Sequence, residues 1–358
     1  MTIYYIELAL FFLVALFVSS NKNKLSEKAK KNIFFFSVFF VLFYVSAFRS
    51  LSVGTDTFQY AYGISRNATH AFDLKWILDQ KAPLYFFLVL PFTKVLPPLQ
   101  TYQIVSSFIF ESGFAIFIYK NSKDYLLSTW LFLMQYFYFQ SMNIGRQSMA
   151  LALVAIGVCF VFNSKKKLAF LLFLLAFFIH TTSIIAFLIL FLGSENRRIR
   201  NITVILISIA VLLYPYLVSL FTYFFPKYSF YENGLFYEVG RNRKVILTLF
   251  QLFFVLFSLH IYKTNEPKMS IDDKREYQIL LEMSIIGIVV GFASLTSILI
   301  SRLELYYSIS FILLVPITIK YSTKNKSILR WGTALIMAVP GLVLLHGGNG
   351  GIVPYSFF

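Results

Sequence analysis

The chain of 358 residues is too apolar for a soluble protein, because 58% of its residues are hydrophobic and only 13% are charged. The formal net charge is +16, but most basic residues lie in short loops between apolar stretches, as the positive-inside rule for membrane proteins explains. The charge therefore gives no reason to expect a nucleic-acid partner. We expect an all-α, polytopic integral membrane protein with about 10–12 transmembrane or re-entrant helices.

Apolar stretches that could cross a bilayer as helices recur along the whole chain. They cover residues 3–19, 33–48, 102–119, 125–140, 146–162, 202–221, 245–262, 279–299, 304–320 and 331–347. The first stretch lacks both the basic start and the small-residue cleavage site of a signal peptide, so we expect it to be a membrane span. The pattern predicts a single transmembrane domain over residues 1–358.

The loops between these stretches predict the orientation of the protein. Those from "NKNKLSEKAKKN" to "KYSTKNKSILR" carry 21 of the 32 Lys and Arg residues. We expect these basic loops to be cytoplasmic, which places the N-terminus outside and makes residues 49–83 and 222–244 outer loops.

Two further apolar segments do not fit this topology as full spans. Prolines interrupt residues 84–98, so we expect a re-entrant helix that dips into the outer leaflet. In residues 168–192, the sequence "HTTS" separates two halves of about 18 Å each, whereas the bilayer core is about 30 Å thick. Either this segment is a second re-entrant hairpin with His180 at its tip, or one of the basic loops beside it lies on the other face.

The segment "FRSLSVGTDTFQY", residues 48–60, places an arginine, a glycine and a carboxylate directly after an apolar stretch. Gly54 permits a turn that would bring Asp56 and Tyr60 back toward Arg49. The alternatives are that Arg49 extends to the lipid headgroups and that Asp56 caps the helix that follows.

Arginine is enriched among the basic residues that we place outside. Six of these 11 residues are Arg, against five of the 21 in the cytoplasmic loops. The planar guanidinium of arginine can bind two phosphate oxygens at once, whereas a lysine is sufficient where only a positive charge that sets membrane orientation is needed. One of the six, Arg241, lies in a tyrosine-rich loop, a composition that suits sugar rings but also any membrane interface. The enrichment indicates an anionic ligand on the outer side.

Other polar residues near the predicted outer side are further candidates. Arg146 and Gln147 open a span and are followed by small residues that permit close helix packing. His180 lies inside an apolar stretch, where an ionisable residue indicates either function or a structural hydrogen bond. Arg302 and Glu304 are two positions apart, so each needs a partner elsewhere or water.

The sequence lacks the motifs of several common enzyme and metal-binding classes. The single cysteine, Cys159, cannot form an intramolecular disulfide or, alone, a thiolate metal site, and the four histidines are scattered. Neither a P-loop nor a dinucleotide-binding glycine pattern is present, which argues against ATP-driven transport and NAD chemistry. We expect no cofactor and no metal ion.

Three motifs, in their order along the chain, resemble one family. They are "R-x4-GTDT-x2-Y" after the second span, a span that opens with Arg146-Gln147, and "KKK…F-x-x-H-T-T-S". In this order they resemble the EpsG family of membrane proteins, which is related to the Wzy-type polymerases of bacterial exopolysaccharides, capsules and O-antigens. The segment "SRLELYY" near Arg302 is similar as well.

The resemblance implies a membrane glycosyltransferase that joins lipid-linked oligosaccharide repeats on the outer face of the cytoplasmic membrane. The growing chain would move from polyprenyl pyrophosphate to the terminal sugar hydroxyl of the next lipid-linked repeat. The implied partners are polyprenyl-pyrophosphate-linked oligosaccharide and membrane lipid, with a chain-length regulator protein as a further candidate.

The same resemblance assigns expected roles to the polar residues. Arg49 and Arg146, together with Arg302, would contact the pyrophosphate. Asp56 or His180 would accept the proton of the attacking hydroxyl. The other residues that we expect to contact the substrate are Thr55, Tyr60, Gln147, Glu304 and Arg241.

Three other classes of protein share some of these features. A ligase that transfers a finished glycan from the same carrier would need the same arginines. A transporter or flippase of lipid-linked glycans needs charged residues along a path to both faces, whereas here they gather toward the outer side. A membrane acyltransferase would use a histidine that faces an acyl-donor tunnel, and His180 stays a candidate for that role.

Overall fold

The computed structural model describes residues 1–20, 24–224, 241–295, 298–323 and 325–358. It is 82% helical, and the described residues contain no β-strand. The helices are α1 (Thr2–Ser19), α2 (Glu27–Ala47), α3 (Thr57–Arg66), α4 (Leu74–Leu78), α5 (Pro83–Val89), α6 (Pro98–Asn121), α7 (Tyr125–Met134), α8 (Phe137–Ser141), α9 (Gly145–Phe162), α10 (Lys166–Ile179), α11 (Ile189–Leu192), α12 (Arg197–Leu212), α13 (Tyr214–Phe224), α14 (Arg241–Asn265), α15 (Ile271–Ala293), α16 (Ile298–Ser308), α17 (Phe311–Tyr321) and α18 (Lys326–His346).

The apolar helices confirm the predicted all-α polytopic fold. Within the described ranges, eight are long and apolar enough to cross a membrane. They are α1, α2, α6, α9, α14, α15, α16 with α17, and α18. Three shorter apolar helical segments, Pro83–Lys94, Tyr125–Met134 and Thr181–Leu192, accompany them.

Two predicted spans are broken into shorter helices. The stretch 125–140 was expected to be continuous, but α7 ends at Met134 and Tyr136 adopts a left-handed backbone with φ of 71° before α8 begins. The stretch 202–221 is likewise divided, between α12 and α13. Both stretches remain apolar across the break, so hydropathy does not reveal it.

The basic loops meet at one end of the helix bundle, which we call the basic end. The contacts between them are those of Lys31 with the Tyr119 carbonyl, Lys123 with Asp273 and Glu276, Arg330 with Asp124, and Arg275 with the Gly193 carbonyl. The opposite end, where α2 ends and α9 begins, is called the site end. The prediction that the basic end is cytoplasmic stays a prediction.

Residues 166–193 form a hairpin that rises from the basic end and returns to it. Helix α10 leads to His180, whose extended backbone separates it from a 3-10 helix, Thr181–Leu188, and α11. Beyond α11, the carbonyl of Gly193 accepts a hydrogen bond from Arg275 at the basic end. The tip of the hairpin is therefore His180. How this hairpin and the segment 84–98 lie in a bilayer stays a prediction.

Candidate functional site

The loop after α2 is shaped by Gly54. Its φ of +91° is in the left-handed region, and an ideal Cβ there would lie 2.5 Å from the Met142 carbonyl oxygen. The backbone turn leads into α3 at Asp56, whose carboxylate makes no capping hydrogen bond. The Asp56 Oδ1 lies 3.3 Å from the Thr55 hydroxyl oxygen. Among the described residues, no cation lies within ion-pair distance of Asp56.

Arg49 is buried beneath this loop, with only 1% of its surface exposed. Its guanidinium donates to the Ser46 carbonyl, to the Met142 carbonyl at 2.9 Å and to the Thr57 hydroxyl at 3.5 Å. Gln103 of α6 donates to the Arg49 carbonyl at 2.7 Å. Such a side chain does not extend to lipid headgroups. Its Nε has no acceptor among the described residues, and the predicted contact of Arg49 with pyrophosphate stays a prediction.

Asn143 connects the loop to the start of α9, and sequence reasoning missed it. Its Oδ1 accepts hydrogen bonds from the Thr55 hydroxyl at 2.7 Å and from the Asp56 backbone N–H at 3.0 Å. The sequence does contain a signal for this role: Asn143 lies between an apolar stretch and Arg146, and an asparagine side chain often forms hydrogen bonds with nearby backbone groups.

The segment 347–358, which we call the strap, covers the same loop and was also missed. The N–H groups of Ser50, Gly54 and Thr55 donate to strap carbonyls at 2.8, 2.9 and 3.1 Å. Gly351 of the strap has φ of +69°, and a Cβ there would lie 2.8 Å from Thr55 Cγ2. The glycines in "HGGNGG" were the available signal, because glycine permits such close backbone approach.

Arg146 lies in a tyrosine cage formed by Tyr60, Tyr85 and Tyr102. Its guanidinium carbon is 5.4 Å from the Tyr60 ring centre and 5.6 Å from that of Tyr85, while the rings of Tyr60 and Tyr102 are 5.0 Å apart. Among the described residues, no carboxylate lies within 4 Å of Arg146. The cage thus contains a cation without an anionic partner.

Three buried donors in this cage have no acceptor among the described residues. They are the Nε of Arg146 and the hydroxyl groups of Tyr85 and Tyr102. Tyr85 is 2% exposed and Tyr102 is fully buried. Because leaving a buried polar group unsatisfied costs about 1–3 kcal/mol, donors gathered beside a guanidinium point to an anionic or oxygen-rich ligand.

His180 belongs to a second polar group next to the cage. Its Nδ1 is 2.7 Å from the Thr182 hydroxyl, which is 3.2 Å from the Tyr306 hydroxyl. Tyr306 belongs to α16, and the Arg302 carbonyl of the same helix accepts a hydrogen bond from Gln147, the neighbour of Arg146. Segments that are far apart in sequence therefore meet at the site end.

Gln147 holds α9 against α16 beside this group. Its Nε2 donates to the Arg302 carbonyl at 2.5 Å. The Arg302 side chain is exposed, and among the described residues it has no carboxylate within 4 Å. The small residues Ser148 and Ala150 that follow Gln147 are buried, in agreement with the close packing expected there.

Two of the predicted contact residues are not placed at the cage. Glu304 is buried and faces α15, where the Ser294 hydroxyl donates to its Oε2 at 3.3 Å. Arg241 begins α14, but its side chain lies outside the described part, as do residues 225–240 of the predicted loop 222–244. In the parts of the chain that the structure describes, no group of three or more His, Cys, Asp or Glu side chains could hold a metal ion.

The fold and the site define a polytopic membrane protein with a half-buried aromatic cage at one end, whose arginine has no carboxylate partner in the described part of the chain. Residues 32–357 match the sequence profile of the EpsG family, so the chain belongs to the EpsG family. It is therefore an exopolysaccharide-related membrane protein. Comparison with curated proteins gives no match, and neither does comparison with solved structures.

Proposed function

We propose that the protein polymerises lipid-linked oligosaccharide repeats by glycosyl transfer on the outer face of the cytoplasmic membrane. The bond between the first sugar of the growing chain and polyprenyl pyrophosphate breaks. A hydroxyl of the next lipid-linked repeat forms the new glycosidic bond and loses its proton. The pyrophosphate leaves with additional negative charge, so a site that stabilises this charge lowers the barrier.

The observation that carries this proposal is the Arg146 cage. A guanidinium with no carboxylate nearby, beside buried donors that lack acceptors, suits pyrophosphate oxygens. The half-buried ring of Tyr60 supplies a flat surface of the kind on which sugars pack. Arg302, exposed beside the cage, is the second cation that we assign to the pyrophosphate.

We assign the proton transfer to Asp56. Its carboxylate has no cation within 4 Å among the described residues, so it is not held in an ion pair and can accept a proton from a hydroxyl. His180 contacts the Thr182 hydroxyl through Nδ1, and that hydroxyl lies 3.2 Å from the Tyr306 hydroxyl. We therefore give His180 the role of a hydrogen-bonding group on the substrate.

Arg49, Gly54, Thr55 and Asn143 act as positioning residues in this proposal. They fix the backbone on which Asp56 and Tyr60 stand relative to Arg146. A displacement of about 1 Å in such an arrangement can reduce a rate about a hundredfold.

The test is glycan chain length in a strain that lacks the chromosomal gene and carries wild type, Arg146→Ala or Asp56→Asn. Arg66→Ala is the matched control, because Arg66 is an exposed arginine at the end of α3. We expect both site variants to reach the membrane yet to accumulate single lipid-linked repeats on the outer face. Wild type and Arg66→Ala should give long chains.

Other results would overturn the proposal in distinct ways. Single repeats that stay on the cytoplasmic face would indicate a flippase or transporter. Long chains that remain on the lipid carrier would indicate a ligase. Long, normally processed chains in the Arg146→Ala strain would refute the role of the cage.

A further inference from the structure

A second cavity lies at the basic end, far from the Arg146 cage. It has a volume of about 640 Å³ and lies between residues 192–201, the end of α14 and the part of α15 from Ile271 to Ile285. None of the residues of the Arg146 cage lines it. The cavity is therefore separate from the site proposed for glycosyl transfer.

The lining of this cavity is basic. Five cationic side chains face three carboxylates, which leaves two positive charges in excess; they are Arg197, Arg200, Lys263, Lys274 and Arg275 against Glu195, Glu266 and Glu282. Arg200 pairs with Glu282 at 3.1 Å, Lys274 pairs with Glu266, and Arg275 lies 3.8 Å from Glu195. Arg197 and Lys263 are exposed and, among the described residues, have no carboxylate within 4 Å.

Two buried polar atoms in the lining also lack partners among the described residues. Arg275 Nε is a donor without an acceptor, and Glu282 Oε2 is an acceptor without a donor. A ligand that satisfies both must offer an anionic acceptor and a hydrogen-bond donor. A phosphate that carries a hydroxylated substituent meets this requirement.

The remaining lining is apolar. The apolar lining residues that are exposed or half-buried are Leu259 of α14 and Ile271 and Ile285 of α15. Free phosphate would gain nothing from these side chains, whereas the acyl chains of a phospholipid would bury apolar surface against them. Basic pockets between helices at a membrane surface are known to suit anionic headgroups.

We propose that this cavity binds an anionic phospholipid of the phosphatidylglycerol class. Its phosphate would lie between Arg275, Arg197 and Lys263, and a headgroup hydroxyl would donate to Glu282. Binding would fix residues 193–201 against α14 and α15. This inference does not depend on the glycosyl transfer proposed for the other end.

The test uses the purified full chain, with bound lipid measured by native mass spectrometry and stability by thermal unfolding. Dioleoyl-phosphatidylglycerol, dioleoyl-phosphatidylethanolamine and inorganic phosphate are added separately. We expect phosphatidylglycerol to bind and to raise the melting temperature, while the other two have little effect.

The double variant Arg197→Ala/Lys263→Ala should bind phosphatidylglycerol at least about tenfold more weakly. Both side chains are exposed, so the variant should fold normally, which unfolding without lipid checks. Lys28→Ala/Lys326→Ala is the matched control, because it removes two exposed charges from the same end outside the cavity and should bind as wild type does.

Three results would overturn the inference. Equal binding of phosphatidylethanolamine would refute the anionic headgroup. Equal stabilisation by inorganic phosphate would identify a free-anion site instead. Equal loss of binding in the two double variants would indicate general surface charge and no defined cavity.

Discussion

At the scale of single residues, Gly54 is the clearest steric requirement of the site. A side chain there needs a strained backbone at φ of +91° and a contact of 2.5 Å with the Met142 carbonyl. We expect Gly54→Ala to cost about 2 kcal/mol or more and to abolish long glycan chains. Gly63→Ala is the control, because nothing lies within 4 Å of a Cβ added at this position in α3. Chain length and thermal unfolding measure both variants; a Gly54→Ala protein with wild-type values would contradict the argument.

Arg49 and Arg146 should respond differently to replacement by lysine. Lysine at position 49 cannot bridge the Ser46 and Met142 carbonyls as a guanidinium does, so Arg49→Lys should lower both stability and activity. Lysine at position 146 keeps a charge but loses the planar fork, so Arg146→Lys should lower activity with little change in stability. Unfolding in detergent and glycan chain length separate the two cases. Equal melting temperatures for both variants would argue against the positioning role of Arg49.

The residues that carry charge could be predicted from sequence, but their surroundings could not. Arg146 and His180 were identifiable because an ionisable group is costly within apolar sequence. The tyrosine cage was not predictable, because tyrosine is common near the ends of membrane helices and Tyr85 and Tyr102 do not differ in sequence from such residues. The burial of Arg49 was also hidden, because a basic residue after a span more often extends to the headgroups.

At the scale of helices, Lys123 connects the loop between α6 and α7 to α15 at the basic end. It lies 2.9 Å from Asp273 and 2.7 Å from Glu276, at the start of α15. Burial opposes its charged form, but the two carboxylates outweigh this and raise the pKa of Lys123. The contribution that depends on the charge of Lys123 is therefore complete at neutral pH and is lost as pH rises through this raised pKa.

Removal of Lys123 should destabilise this end of the protein. We expect Lys123→Ala to lower the free energy of unfolding by about 1–3 kcal/mol, because two largely buried carboxylates lose their shared cation. Lys165→Ala is the control, since Lys165 is exposed at the same end. Urea unfolding in detergent at pH 7 measures both. An effect no larger than that of the control would show that Lys320, which also contacts Asp273, compensates.

Hydropathy predicted most helices but not the points at which they break. The break at Tyr136 depends on one left-handed residue between apolar neighbours, and it lies where the Tyr136 hydroxyl donates to the Asn349 carbonyl of the strap at 2.8 Å. Such tertiary bonds can override local preference, and a single sequence does not contain them. The hairpin tip was easier to predict, because "HTTS" places polar groups in mid-segment.

At the scale of the whole molecule, the two ends carry different chemistry. The basic end gathers the lysine-rich loops, and the site end gathers the strap, the Asp56 loop and the cage around Arg146. The positive-inside rule predicts that the first end is cytoplasmic and the second is outside. The substrate of the proposed reaction would then be reached from outside.

Cysteine labelling tests this orientation. Cys159 is the single cysteine of the chain, so the Cys159→Ser variant contains no thiol that a maleimide could label. The reagent is a maleimide that passes the outer layers of the cell but does not cross the cytoplasmic membrane. In intact cells it should label Arg66→Cys and Lys75→Cys. It should label Lys28→Cys and Arg198→Cys only after the membrane is opened. The reverse pattern would invert the predicted topology and place the cage on the cytoplasmic face.

The same labelling decides how the hairpin lies in the bilayer. Lys165 and Glu195 are exposed on either side of it, and both lie at the basic end in the structure. If residues 168–192 are re-entrant, Lys165→Cys and Glu195→Cys should be labelled only after the membrane is opened, as Lys28→Cys is. If the segment crosses the bilayer, one of the two is labelled in intact cells. His180 would then lie within a span, and its link through Thr182 to Tyr306 would require a conformation other than the one described.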